Sequence, residues 1–226
     1  MTSFEKLPEG MRNEAVRPYY EALKKKGFSR FLKRAFDIVA SFLLLVLLSP
    51  VMLVIAVWIK CDSKGPVFYK STRVTTLGKD FKIFKFRTMI ADADQKGALI
   101  TVSGDSRITR VGKKIRHARI DELPQLFNVL AGQMSFVGTR PEVRKYVDAY
   151  TPEMMATLLL PAGITSKASL AYRDEDEKMS ALTEKGMTVD EAYVEHILPE
   201  KMKYNLQYLQ NFSFFEDIAT CIKTVF

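Results

Sequence analysis

AFDIVASFLLLVLLSPVMLVIAVWI, residues Ala35–Ile59, is the stretch on which the reading of this chain turns. Its one charged residue is Asp37, and Ser49-Pro50 breaks it near the middle. As a straight helix the run would measure roughly 37 Å at about 1.5 Å per residue, enough to cross a hydrocarbon core about 30 Å thick. Pro50 complicates that picture. It offers no N–H to the Val46 carbonyl and its ring clashes with that carbonyl, so a bend is expected there. In lipid the freed carbonyl needs another donor, and the Ser49 hydroxyl is available.

Working outward, both flanks are basic. Arg30, Lys33 and Arg34 are the nearest basic residues before the run, and Lys60, Lys64 and Lys70 are the nearest after it. Basic residues beside an apolar segment favour the cytoplasmic side. A segment that dips in, turns at Ser49-Pro50 and returns satisfies both flanks, whereas a kinked spanning helix satisfies one. Local sequence leaves both open. A secretory leader is not expected, because the apolar core is too long and no small-residue cleavage site follows it.

The remaining composition suits one globular domain attached to one membrane element. The expected division is a basic N-terminal arm over 1–34, polar and partly helical and meeting the membrane surface, then the membrane segment over 35–59 and a globular domain over 60–226. A net charge of +8 implies an anionic partner, either lipid headgroups or a phosphorylated substrate, although a merely solvated basic surface gives the same sum. No nucleic-acid-binding motif is present, so nucleic acid is not an expected partner. Cys61 and Cys221 make no disulfide framework and are read as packing residues in a reducing compartment. His117 and His196 are isolated, and no Cys/His metal cage is visible in the sequence.

After a Gly65-Pro66 turn, Val67–Tyr69 and Phe81–Met89 read as short strands joined through Leu77–Asp80. Period two puts Lys85 and Arg87 on one face of the second strand and Phe84 and Phe86 on the other. That basic face suits phosphate, and it equally suits an edge strand protected against aggregation. Thr109–Ile120 reads as a basic helix with Lys113 and Arg116 on one face. Asp121-Glu122-Leu123-Pro124 then opens a second helix that Gly132 ends. Acidic residues at a helix start usually cap it. Free N–H groups there also attract anions. An aspartate beside Arg116 is expected to stay ionised and can serve as a nucleophile, while Glu122 can hold Mg²⁺.

Taken in order, Ser49-Pro50, Lys85-Phe86-Arg87-Thr88-Met89, Arg107-Ile108-Thr109-Arg110-Val111-Gly112, Arg116, Asp121 through Leu130, Gly132 through Gly138 and Arg140-Pro141 closely resemble the bacterial sugar transferases, the monotopic phosphoglycosyl transferases. The likeness runs from about Phe31 to the C-terminus and is densest between Lys82 and Glu142. It implies an α/β, mainly helical fold: a small cytoplasmic catalytic domain on a re-entrant membrane helix hairpin broken at Ser49 and Pro50, with interfacial amphipathic helices. It implies that Asp121 attacks the β-phosphate of a nucleoside-diphosphate sugar, a UDP-sugar, and expels UMP. Glu122 would bind Mg²⁺, Arg116 would hold phosphate, and Lys85, Arg87, Arg140 and Pro141 would line the substrate site. Undecaprenyl phosphate would then take the phosphosugar from Asp121 at the cytoplasmic face of the bacterial inner membrane. A homo-oligomer is left open.

Two departures stand out. Many relatives have Pro-Arg-Pro where this chain has Thr139-Arg140-Pro141, and Gly-Ile-Thr-Gly-Trp where it has Gly163-Ile164-Thr165-Ser166-Lys167. The segment Ala168–Glu177, with Tyr172-Arg173-Asp174-Glu175, is where sugar selection is expected to differ. Val143–Leu160 and Tyr204–Phe226 carry aromatic and aliphatic stripes compatible with interfacial helices or with core. Thr183–Val194 is read as solvated and given no role. The competing class is a non-catalytic, membrane-tethered lipid-binding or scaffold module of a glycan-assembly complex. Such a module would not need Asp121, Glu122 and Arg116 together.

Overall fold

Pro18 in its first turn starts helix α1, Arg17–Lys25, where a missing N–H costs nothing. The structure, a computed structural model, describes residues 1–91, 93, 105–172 and 174–225; Arg173 and Phe226 lie outside the described residues. Tyr19, Tyr20 and Leu23 of α1 are buried together with Phe4, Leu7, Met11 and Val16, against Val147, Leu158–Leu160, Leu209 and Phe212. Seven apolar side chains of the first 25 residues are therefore packed into the core, while most of the segment's charged residues stay exposed. The apolar side chains gather on one side, and burying each large one contributes roughly 1.5–3 kcal/mol.

Helix α2, Gly27–Asp62, is 36 residues long and includes Pro50. Ser49 Oγ donates to Val46 O at 2.8 Å, so the carbonyl orphaned by Pro50 has the expected donor. One stripe of α2 faces the domain: Lys33, Asp37 and Ser41 are buried in its first half, and Met52, Ile55 and Ile59 in its second. On the outward side Leu47, Leu53 and Val54 are each at least 66% exposed, an apolar surface of the kind that marks a membrane or protein contact. Lys33 and Asp37 turn inward. Lys33 Nζ donates to Asp217 Oδ2 at 2.7 Å and to Val137 O at 2.6 Å. Asp37 Oδ1 accepts from Ser135 Oγ and from the Phe136 N–H.

Strands β1, Phe68–Val74, and β2, Asp80–Phe86, form an antiparallel hairpin with Tyr69 opposite Lys85, Ser71 opposite Ile83 and Arg73 opposite Phe81. Leu77 and Gly78 turn the chain in the left-handed region. Opposed residues share a face, so Lys85 lies with Tyr69 and Arg73, and Phe84 and Phe86 occupy the other face. Arg87 follows the strand, and its guanidinium turns to the Ser63 and Lys64 carbonyls rather than to Lys85.

Helix α3, Arg110–His117, is capped by Thr109 Oγ1, which accepts from the Gly112 N–H at 2.9 Å. Gly112 packs so closely on the preceding segment that a Cβ would lie 2.0 Å from Thr88 O. Helix α4, Gln125–Leu130, leads into β3, Met134–Val137, which pairs in parallel with β4, Ala162–Thr165. Between them α5 spans only Arg144–Val147, and a 3₁₀ turn covers Met154–Leu159. Tyr146, Val147, Leu158 and Leu159 are buried, so this stripe is core rather than an interfacial helix. Pro152 has no N–H with which to continue a helix across the segment.

Helices α6, Lys167–Ala171, α7, Glu175–Glu184, α8, Val189–Ala192, α9, Leu198–Gln210, and α10, Phe214–Val225, complete the chain. The 183–194 segment is not wholly solvated: Ala192 and Tyr193 are buried. The C-terminal stripe divides, with Phe212 buried ahead of α10 and Phe215 and Ile222 exposed on it.

The Lys33–Asp217 pair is buried on both sides. Lys33→Met strands a desolvated carboxylate and is expected to cost about 3–5 kcal/mol, read as a lowered Tm in detergent micelles. The double variant Lys33→Met/Asp217→Leu is expected to lose less than that single change.

Candidate active site

The turn that carries the carboxylates is set by two backbone facts. Arg119 adopts a left-handed φ of 56°, which ends α3, and Ile120–Glu122 form a 3₁₀ turn before Pro124 caps α4. The sequence reading had Asp121 and Glu122 in the first turn of that helix. Pro124 cannot donate to the Ile120 carbonyl as an α-helix would need, so the helix begins only at Gln125. The site's electrostatics therefore come from side chains rather than from a helix end. Ile120 and Leu123 pack on Met52, Ile55 and Ile59 of α2, so the long apolar helix is the floor beneath the turn.

Asn128 ties the turn to the hairpin. Its Oδ1 accepts from the Phe84 N–H at 3.0 Å, and its Nδ2 donates to Lys82 O and Gln133 Oε1, each at 2.8 Å. Arg34 closes the other end of α4 by donating to Val129 O and Leu130 O at 2.7 and 2.9 Å. These bonds hold Lys85 of β2 over the turn, where its Nζ donates to Glu122 Oε1 at 2.7 Å. Arg140 Nη2 stands 3.9 Å from the same oxygen. Burial works to raise the pKa of Glu122, but Lys85, Arg140 and Arg119 outweigh it and hold the carboxyl below the ordinary glutamate value.

Asp121 is buried and behaves in the opposite sense. Desolvation, helped by the Glu122 charge, pushes its pKa up against the pull of Lys85 and Arg116. Arg116 acts in the expected direction, but burial outweighs it. Lys85 is committed to Glu122, so Asp121 makes no ion pair among the described residues. A charged oxygen without a salt bridge is available for attack. Two adjacent carboxylates with pKa values driven apart are the usual mark of divided roles.

The structure thus brings Asp121, Glu122, Arg116, Lys85 and Arg140 into one electrostatic cluster, with Pro141 buried beside Arg140. It does not bring Arg87 there. That guanidinium donates to Ser63 O and Lys64 O at 2.8 and 2.5 Å and clasps the exit from α2. Lys113 is solvent-exposed. Ser49 and Pro50 lie on α2 and serve the helix. Two contributors went unread in the sequence. Asn128 was signalled by an amide within the otherwise apolar Leu126–Leu130. Glu142 gave no signal beyond its place after Arg140-Pro141; its Oε1 accepts from Tyr193 Oη at 2.5 Å.

For a divalent metal, no group of three His, Cys, Asp or Glu side chains gathers among the described residues. Glu122 Oε1 is taken by Lys85, while Oε2 has no hydrogen bond among them. One open carboxylate oxygen beside a second carboxylate fits Mg²⁺, which binds one or two carboxylates and completes its shell with water and substrate phosphates.

Residues 28–226 match the family described as bacterial sugar transferase. The chain is 38% identical over 198 residues to the UDP-N-acetylgalactosamine-undecaprenyl-phosphate N-acetylgalactosaminephosphotransferase of Aeromonas hydrophila, covering 86% of this chain and 43% of that protein. It is 34% identical to the UDP-glucose:undecaprenyl-phosphate glucose-1-phosphate transferase of Klebsiella pneumoniae, over 88% of this chain and 40% of the relative. A protein of the same description from Caulobacter vibrioides is 35% identical over 85% of this chain and 68% of its own length. The chain spans less than half the length of the first two relatives. It belongs to the bacterial sugar transferase family.

Because the pKa of Asp121 is raised, its ionised fraction at mildly acidic pH is smaller than that of an exposed aspartate. The acid limb of kcat/KM is therefore expected above the ordinary aspartate range. Glu122→Gln removes one of the causes that raise it, so the limb is expected to move to lower pH while the maximal rate falls. A limb that stays in place would assign it to another group.

Proposed function

We propose that this protein transfers a sugar 1-phosphate from a UDP-sugar to undecaprenyl phosphate and releases UMP, through a covalent phosphosugar on Asp121. The observation that carries the reading is the buried, unpaired Asp121 beside a Glu122 whose charge Lys85 and Arg140 hold. In the first step an Asp121 carboxylate oxygen attacks the β-phosphorus, and the bond to the bridging oxygen breaks with its electron pair leaving on UMP. In the second, an oxygen of the lipid phosphate attacks the same phosphorus and the carboxylate departs. Arg116, Lys85 and Arg140 bind and orient the diphosphate. Mg²⁺ at Glu122 would supply neutralisation of the diphosphate charge. The relatives' names carry different sugars, so they support the phosphoryl chemistry and leave the donor sugar unassigned. The reaction is that of the first membrane step of glycoconjugate assembly.

The same reading makes α2 re-entrant at the cytoplasmic face of the inner membrane. Its support is that both halves of the helix dock on one domain. Arg34 holds the end of α4, and Asp62 Oδ2 accepts from the Val111 N–H of α3 at 3.1 Å. A spanning helix would put residues 34 and 62 on opposite sides of the bilayer, where one aqueous domain could not hold both.

Donor alone is expected to release about one UMP per active enzyme and leave a sugar-phosphate mass on Asp121. Asp121→Asn is expected to lose burst and adduct while membrane binding survives. Turnover with lipid, but with neither burst nor adduct without it, would replace the two-step scheme by direct transfer. A scaffold would show no turnover at all.

For topology, Lys26→Cys and Lys64→Cys in a chain lacking Cys61 and Cys221 are expected to react alike with an impermeant thiol reagent in intact cells. Labelling at one site alone would make α2 a spanning helix.

A further inference from the structure

The face of the hairpin that carries Lys85 holds a second cation that the proposed reaction has not used. Arg73 of β1 lies on that face because Tyr69, Ser71 and Arg73 stand opposite Lys85, Ile83 and Phe81. It is half-buried, beside Arg140 and Glu142. Its five N–H donors make no hydrogen bond and no ion pair within 4.0 Å among the described residues. Other arginines of the chain are spent: Arg34 and Arg87 on backbone carbonyls, Arg107 on Asp105, Arg144 on Asp80. A desolvated guanidinium without a partner is costly. Two guanidinium groups brought together are costlier still.

The carboxylates nearby relieve this only in part. Glu142 attracts Arg73 through space, but its Oε1 is taken by Tyr193 and its main-chain carbonyl by the Val74 N–H at 2.9 Å. Glu122 is taken by Lys85. The pKa of Arg73 is lowered, first by desolvation and then by Arg140, while Glu142 pulls it back up. The face therefore holds more donors than the protein itself satisfies, on two planar forks and an ammonium.

We propose that Arg73 is a substrate-binding residue that, with Arg140, grips the diphosphate of a nucleoside-diphosphate donor next to Asp121. The proposal rests on the donor class given under Proposed function and adds a residue to that site. Paired guanidinium forks match the several oxygens of a diphosphate, with two parallel N–H bonds from each fork. An ammonium at 73 reaches one oxygen at a time. Arg73 is thereby assigned recognition of the phosphates, and not of the base or the sugar.

The test is titration of the full chain in lipid nanodiscs with three probes: UDP, uridine and inorganic pyrophosphate. Arg73→Gln is expected to weaken UDP and pyrophosphate by about tenfold or more and to leave uridine within about twofold. Arg73→Lys is expected to fall between, with an unchanged Tm. UDP affinity equal to wild type in Arg73→Gln would overturn the proposal. So would a parallel loss of UDP and uridine, which would make Arg73 a support of the pocket's shape. Arg73-dependent binding of pyrophosphate by a wild-type protein that ignores UDP would keep the phosphate grip and reject the nucleotide donor. Binding of none of the probes would overturn both.

Discussion

An apolar helix can carry charge into the edge of a membrane only if each charge finds a partner on the protein side. In α2, Lys33, Arg34, Asp37 and Asp62 all turn inward, and each engages a different part of the domain: Asp217 on α10, the end of α4, the start of β3, and the first turn of α3. Lipid offers these groups nothing. The helix is consequently tied at both ends to the elements that bracket the carboxylate turn. Met52, Ile55 and Ile59 then fill the space beneath Ile120 and Leu123. The docking of α2 and the geometry of the site are one packing problem.

The site built on that floor separates two neighbouring carboxylates by giving a partner to one of them. Lys85 reaches Glu122 because Asn128 fixes β2 against α4 through both the Phe84 N–H and the Lys82 carbonyl. Were the hairpin to shift along its strand by one residue, Lys85 would point to the opposite face. The register that pairs Tyr69 with Lys85 is thus an electrostatic statement about Asp121 as much as a statement about a sheet.

What the sequence made legible was local. The loss at Pro50 and its repair by Ser49 follow from the bookkeeping of one helical turn, and the structure has that bond. The carboxylate pair with its basic neighbours was legible as a motif. What failed depended on partners far away or on a single dihedral. Arg119 at φ 56° and the proline at 124 moved the helix start by four residues. Arg87 left the basic face because the Ser63 and Lys64 carbonyls at the exit from α2 hold its guanidinium. The burial of Val143–Leu160 needed a partner surface that includes the N-terminal residues: Tyr19 Oη donates to Glu153 at 2.6 Å across 134 positions. Arg73 was visible only as one more basic residue near the membrane, because its significance lies in what it does not pair with.

The family match starts at residue 28, yet Met11, Val16 and Leu23 are as deeply enclosed as any described side chain. A shared domain trimmed at that boundary would lose one wall of its largest apolar cluster and leave Leu158–Leu160, Leu209 and Phe212 facing water. Any excision or transplant of this domain must therefore carry the leading segment along with residues 28–226.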